Sequence, residues 1–273
     1  MKLTVLVDNN TLIDRYFLGE PGLCYIIEDA GKKVLFDTGY SDVFIRNAHK
    51  MKIKLTDIDA VVLSHGHSDH TGGLPHLMTM FTEEALENRT VSMPDLICHD
   101  HTFRTKVTRE GVDIGSPAKE DKLEMHFNLR LTKDPVWITD NLVYLGEIPR
   151  MNSFENQHPI GKDDFVADDS ALAWRSNKGL VIITGCSHSG ICNIIKRAKA
   201  VCGEDRIRDI IGGFHLLHPS AEQMEGTLAC LVKENPEKVY AGHCTDLKSK
   251  IALAGHLNIK EVGVGLILRY EEE

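Results

Sequence analysis

What this chain lacks narrows it first. No stretch approaches the ~18 consecutive apolar residues of a membrane helix, so no membrane partner is expected. The opening residues, Met1 to Asp8, hold one lysine and an apolar core too short for a signal peptide, and read as a first strand. An excess of basic residues is missing as well. The net charge of −9 leaves no basic face for non-specific nucleic-acid binding, although a local basic pocket remains open. No Cys-x-x-Cys pair occurs. The 7 cysteines, at positions 24, 98, 186, 192, 202, 230 and 244, are odd in number and scattered. That usage suits reduced thiols in a cytoplasmic protein, with one of them a candidate ligand.

What is present is 273 residues, 42% of them hydrophobic. This suffices for one large core, or for two fused halves sharing one. A single domain over residues 1–273 is expected, with Thr82 to Asp140 as the place where a substrate-shaping insertion would sit.

The chain is organised around Ser64-His65-Gly66-His67-Ser68-Asp69-His70-Thr71-Gly72-Gly73. Before it, Ala60 to Leu63 is a short apolar run that reads as a buried strand. After it, Leu74, Leu77, Met78 and Phe81 repeat at helical spacing. The cluster therefore falls where a strand ends and a helix begins, and open α/β sheets place their sites at such strand ends. His65 and His67 can turn both imidazoles to one side, and neutral imidazole is the commonest side-chain metal ligand. One ion cannot comfortably take four groups from so short a segment. Two can, with His65 and His67 on one and Asp69 and His70 on the other, roughly 3.5–4 Å apart and sharing a hydroxide.

His-x-His-x-Asp-His after a strand resembles the signature of the metallo-β-lactamase fold superfamily. Val34-Leu35-Phe36-Asp37-Thr38-Gly39 is similar to the strand and Asp-Thr-Gly that precede the metal motif in that superfamily. The resemblance implies an α/β fold, a four-layer αββα sandwich.

The rest of the chain reads as elements around that motif. Leu23 to Glu28 and Lys33 to Phe36 form a hairpin across Asp29-Ala30-Gly31-Lys32, and Gly19 to Gly22 is a loop or plain turn before it. Ser41 is a candidate cap for a helix carrying Val43, Phe44, Ala48 and Met51, with His49 on its surface. Asp95 to His101 reads as a strand ending in two histidines, with a peripheral or substrate-side role favoured over ligation. Asn141 to Leu145 is a strand ending at Glu147 and Arg150. Those two are candidate substrate contacts, since arginine suits a carboxylate or phosphate; a surface ion pair explains them equally well. Asn152 to Asp164 reads as a loop or lid.

The second half repeats the pattern of strand, ligand-rich turn and helix. Ser170 to Trp174 and Leu180 to Thr184 are strands around Asn177-Lys178-Gly179, followed by Gly185-Cys186-Ser187-His188 and a helix from Ile191 to Val201. In the superfamily this strand usually ends in Thr-Gly-Asp, with cysteine replacing the aspartate in one branch, so Cys186 stands at a ligand position. No His-Thr-x-Gly occurs upstream; Asp168 and Asp169 occupy that neighbourhood, and His188 is a candidate for the missing imidazole. Ile207 to Ile211 ends near His215, and Lys238 to Ala241 ends near His243. By position His243 resembles the last metal ligand, which leaves His215 as an outer or proton-carrying group. Helices are expected over Ala221 to Val232 and Asp246 to Leu257, and a closing strand over Val262 to Leu268. His126, His158, His218 and His256 read as surface residues.

Gly-Glu-Ile-Pro-Arg, Asp-Asp-x-Ala-Leu, Gly-Cys-Ser-His-Ser-Gly, Gly-Gly-Phe-His-Leu and His-Cys-Thr together resemble a narrower branch. That branch is named for 7,8-dihydropterin-6-yl-methyl-4-(β-D-ribofuranosyl)aminobenzene 5′-phosphate synthase. The resemblance implies a metal-dependent hydrolase with two divalent ions, zinc by the thiolate, with iron or manganese also suited to a His/Asp set. Its metal ligands would be His65, His67, Asp69, His70, Cys186, His188 and His243, with Asp69 and His215 as proton carriers. Its substrate would be a small molecule, a phosphoester or pterin-linked compound, contacted by Glu147, Arg150 and His215. Two rivals are a diiron-type oxidoreductase, whose members carry glutamate where His67 stands, and a non-catalytic metal-binding module. A homodimer is suggested by the fold family alone.

Overall fold

The computed structural model describes residues 1–91, 93–155, 159–161 and 164–271. They form two compact units, Met1–Thr132 with Gly263–Glu271, and Lys133–Val262. Elements are numbered in chain order. The first unit holds strands β1 (Lys2–Val7), β2 (Cys24–Asp29), β3 (Lys32–Phe36), β4 (Ala60–Val62), β5 (Asp95–Cys98) and β6 (Asn128–Leu131). Its helices are α1 (Val43–Lys50), α2 (Ser68–Thr71), α3 (Leu74–Leu86) and α4 (Glu120–Leu123). The second unit holds β7 (Val136–Trp137), β8 (Leu142–Tyr144), β9 (Ala171–Ser176), β10 (Gly179–Thr184), β11 (Ile207–Gly213) and β12 (Lys238–Gly242). Its helices are α5 (Ile191–Cys202), α6 (Ala221–Glu234) and α7 (Leu247–Ala254). The chain then returns to the first unit as β13 (Ile267–Arg269).

The first unit is a sheet in the order β13-β1-β2-β3-β4-β5-β6. Its first four strands pair antiparallel, and β3 to β6 run parallel. The hairpin turn has φ of 47° at Ala30 and 78° at Gly31, the two left-handed positions a two-residue hairpin demands. Parallel strands are covered on both faces, which is why β4 is apolar at every position and buried throughout. Leu35, Val61 and Leu96 of the sheet join Phe44 and Ala48 of α1 and Leu74, Leu77 and Phe81 of α3 in one core. Each such side chain contributes ~1.5–3 kcal/mol by leaving water.

The second unit is a sheet in the order β12-β11-β10-β9-β8-β7, parallel over β12 to β10 and antiparallel beyond. Ile182, Ile210 and Val239 pack with Ile194, Ile195 and Ala198 of α5, Leu231 of α6 and Leu253 of α7. No described helix is long and apolar enough to cross a membrane.

Four short elements, β6, β7, α2 and α4, escape the sequence reading because each is too brief to show a period. Ser41 is not the helix cap: Asp42 holds that position, and the Ser41 hydroxyl donates to Glu20 while accepting the Val43 N–H at 3.3 Å. The closing strand starts later than expected, because Gly265 turns at φ 94° after a bridge from Val264 to Thr11. Helix α3 buries Leu74, Leu77 and Phe81 but leaves Met78 half-buried. His126 is half-buried rather than on the surface, His218 and His256 are exposed, and His158 lies outside the described residues. The same is true of part of the expected loop from Asn152 to Asp164.

Candidate metal centre

In the first unit the motif loop follows β4 directly and is held by Asp37, the residue just past β3. Asp37 is fully buried and sits at φ 57°, outside the range most side chains adopt. Its Oδ1 accepts the Ser64 N–H at 2.7 Å, and its Oδ2 accepts the Ser64 hydroxyl at 2.7 Å. The same Oδ2 is 2.7 Å from His70 Nδ1. These contacts fix two tautomers. The Ser64 hydroxyl hydrogen is committed to Asp37, so its oxygen, 3.0 Å from His65 Nδ1, accepts from that nitrogen. His65 thus presents Nε2 as its basic atom. His70, donating from Nδ1 to Asp37, likewise presents Nε2. A carboxylate or hydroxyl behind each imidazole is the usual support of a metal-ligating histidine.

The presented atoms lie in pairs. His65 Nε2 is 3.0 Å from His67 Nδ1, and His70 Nε2 is 3.5 Å from Asp69 Oδ2. Ligands on a common ion with bonds of about 2.0–2.2 Å stand roughly this far apart. His65, His67 and His70 are buried, whereas Asp69 is partly open. The donor chemistry and spacing therefore fit divalent metal ions.

The second unit carries its own donors at strand ends. After β10, Cys186 Sγ is 3.2 Å from His243 Nε2, which follows β12. The Cys244 thiol donates to the Cys186 carbonyl at 3.4 Å and accepts the His215 N–H at 3.2 Å. Burial pushes the Cys244 thiol up, but hydrogen bonds with the side chains of Cys186 and His215 and the charge of His243 hold it well below the ordinary thiol range. His188 and His215 meet with ring centres 4.3 Å apart and planes tilted by 52°. Ser187, His215 and His243 take φ of 60°, 48° and 44°. Side chains in that region cost about 1–3 kcal/mol each and gather at functional sites.

Asp169 buttresses this loop. Its Oδ2 accepts the Ser189 N–H at 2.8 Å and the Ser189 hydroxyl at 2.5 Å, while Oδ1 has no hydrogen-bond partner among the described residues. Burial pushes its carboxyl up to about 6, against the pull of the Ser189 bonds. A carboxyl raised in the folded state above its unfolded value of about 3.9 keeps a proton that the unfolded chain has released. Stability should therefore fall as pH rises from about 4 to about 6, by ~3 kcal/mol from this group, and level off above. Urea unfolding of metal-free protein against Asp169→Asn checks this. The variant should lack the slope, and parallel curves would remove the assignment.

A cavity of about 380 Å³ in the second unit is walled by Phe154, Phe165 and Phe214, with His188 and His215 on its lining. That is the size of a small-molecule pocket. Glu155, also on its lining, takes the Cys192 and Asn193 N–H groups at 2.9 and 3.2 Å, the free donors at the start of α5. Gly190 has no room for a side chain there, because a Cβ would fall 2.3 Å from the Glu155 carboxyl carbon.

The structure thus pairs His65 with His67, Asp69 with His70, Cys186 with His243, and His188 with His215. It engages the two other candidates elsewhere. Glu147 pairs with Lys133 at 3.4 Å. Arg150 donates to the carbonyls of Ile148, Phe165 and Val166 at 3.2, 3.1 and 2.6 Å, and so holds the loop that carries Phe165. Sequence reasoning missed Ser64, Cys244 and Ser189 as supports. It quoted Asp37 but gave it no role, although a buried acid at the end of the strand next to the motif strand was a signal.

The metallo-β-lactamase superfamily model matches residues 18–87. A Methanocaldococcus jannaschii protein named 7,8-dihydropterin-6-methyl-4-(β-D-ribofuranosyl)-aminobenzene-5′-phosphate synthase is 29% identical, over 92% of this chain and 89% of that one. The anaerobic nitric oxide reductase flavorubredoxin of Vibrio vulnificus is 32% identical, but over only 34% of this chain and 20% of that one. Among solved structures, Tm1679, described as a metal-dependent hydrolase of the β-lactamase superfamily, superimposes with a TM-score of 0.82 at 28% identity. That match covers 100% of both chains. Family model, near full-length relative and backbone point the same way: the chain has the metallo-β-lactamase fold and is similar to members of that superfamily along its length.

Proposed function

We propose that this chain is a metal-dependent hydrolase of small molecules, with a phosphoester or pterin-linked compound as substrate. The observation that carries the reading is the locked presentation of His65 Nε2 and His70 Nε2 by Ser64 and Asp37. Such support is spent on ligands that must not move. We assign His65, His67, Asp69, His70, Cys186, His188 and His243 as ligands for two divalent ions, with zinc favoured by the thiolate. Such ions lower the pKa of water and stabilise negative charge that develops in the transition state. Asp69, partly exposed, is placed to accept a proton and release it to a leaving group. The three phenylalanines of the second unit's cavity suit a flat, largely apolar substrate portion, and the name of the Methanocaldococcus jannaschii relative supports a pterin ring.

Elemental analysis of protein purified without added metal, beside His67→Ala, tests this. About two ions per chain are expected in the wild type and fewer in the variant, with hydrolysis of phosphoester or pterin-linked substrates falling in step. No metal in either, and none on reconstitution, would leave a binding module as the better account. The stretch of similarity to the flavorubredoxin favours a second reading, a diiron oxidoreductase. It predicts iron, and reduction of oxygen or nitric oxide in place of hydrolysis.

A further inference from the structure

The end of β5 carries a second group of donors that the reading above does not use. His99, Asp100 and His101 each offer a ligand atom within 4.8 Å of the others. Asp100 Oδ1 stands between the two rings, 3.0 Å from His99 Nδ1 and 3.7 Å from His101 Nε2. The rings meet edge to face with centres 4.9 Å apart. Separations of 3.0 and 3.7 Å bracket the distance between neighbouring ligands on an ion with bonds of about 2.1 Å.

The hydrogen bonding sharpens the point. His99 Nδ1 accepts the His101 backbone N–H at 3.1 Å, so in a neutral ring this nitrogen carries a lone pair. The Asp100 oxygen 3.0 Å away is also an acceptor. A cation shared by this nitrogen and the carboxylate would replace the amide contact and offset the charge of Asp100. His99 is buried, while His101 and Asp100 keep 26% and 43% of their side chains open, which leaves an entry path from solvent.

We infer that His99, Asp100 and His101 bind a further divalent transition-metal ion, of the zinc, nickel or copper kind that imidazole prefers. This ion is separate from those held by the motif loop, and the inference does not rest on the hydrolase reading. Its place is informative. β5 pairs in parallel with β4, the strand that delivers the motif, so both donor groups issue from the same end of one sheet. The turn bearing the triad packs on the motif loop, where a Cβ on Gly66 would meet the Thr102 carbonyl. An added double positive charge there would draw an anionic group toward the motif loop.

The test is zinc stoichiometry and affinity, by elemental analysis after equilibrium dialysis, for the wild type, His101→Gln and Asp100→Asn. Each variant should bind one zinc fewer per chain, or bind that ion more than about 10-fold more weakly, while keeping the others. Both positions are partly exposed, and unchanged far-ultraviolet circular dichroism identifies folded variants. Histidine-selective NMR of the wild type adds a readout that needs no substitution: zinc should shift both rings, in protein carrying His67→Ala as well. Equal zinc content and affinity in all three proteins, with unmoved His99 and His101 resonances, would overturn the inference. Loss of the motif-loop ions alone, with this ion retained, would count against the hydrolase reading and not against this one.

Discussion

Asp37→Asn is expected to cripple metal binding while leaving the fold largely intact, and Asp37→Ala to do the reverse in emphasis. The native carboxylate accepts three hydrogen bonds, two from Ser64 and one from His70 Nδ1. Alanine leaves those donors buried without an acceptor, each at about 1–3 kcal/mol, less than additively because they share one site. It also places an ordinary side chain at φ 57°, a conformation that asparagine tolerates better. A total of ~3–5 kcal/mol is expected from urea unfolding. Asparagine fills the same volume and keeps one accepting oxygen, but its amide must point at a donor. If it points at His70, that ring must accept at Nδ1 and move its proton to Nε2, the atom offered to the ion. A wrong tautomer behind unchanged geometry disables a histidine more than it destabilises a fold. Zinc affinity should fall about 10–100-fold in Asp37→Asn, with a stability loss under about 2 kcal/mol. Zinc competition against a chromophoric chelator reads the first and urea the second. Wild-type affinity in Asp37→Asn would show that Asp37 supports the loop and not the ligand.

Much of this architecture was legible because buried parallel strands advertise themselves. β4 and β10 are apolar runs bounded by polar turns, and the chemistry follows each at its carboxyl end. The helices α3 and α5 show their packing faces in the spacing of Leu74, Leu77 and Phe81 and of Ile194, Ile195 and Ala198. What hid from the sequence were partnerships across long separations. Asp37 lies 33 residues from His70, and Asp169 lies 20 from Ser189. Such pairs have no local period; strand order alone brings them together. The left-handed backbone at Ser187, His215 and His243 was equally invisible, because none is a glycine. At those positions local preference yields to the placement of a side chain, as expected where function opposes local comfort. Arg150 shows the converse. Its chemistry suits an anion, yet it spends its donors on backbone carbonyls that only the fold brings near.

Gly66→Ala should abolish tight metal binding without touching a single ligand. Gly66 lies between His65 and His67, and a Cβ there would stand 1.9 Å from the Thr102 carbonyl oxygen, 2.8 Å from its carbon and 2.9 Å from Lys106 Cε. The lysine end can swing away, but the Thr102 backbone cannot, since its N–H is bonded to the His99 carbonyl at 3.1 Å. The motif loop is also stitched to a later segment by Ser68 N–H to the Ile114 carbonyl at 2.8 Å and a bridge from His67 to Gly115. Tethered in this way, the loop must still shift by about 1 Å to clear the clash. Overpacking of this kind costs about 1–3 kcal/mol of stability. The metal centre is less forgiving, because ligand distances must hold to about 0.2 Å. We expect urea unfolding to register the modest loss and zinc affinity to fall by well over about 10-fold, even though every histidine remains. Because the obstructing carbonyl belongs to the turn that carries His99 and His101, the same substitution should weaken the ion assigned to that turn. Affinity unchanged at both places would mean that the loop and the turn yield independently, and that the close approach at Gly66 does not set ligand geometry.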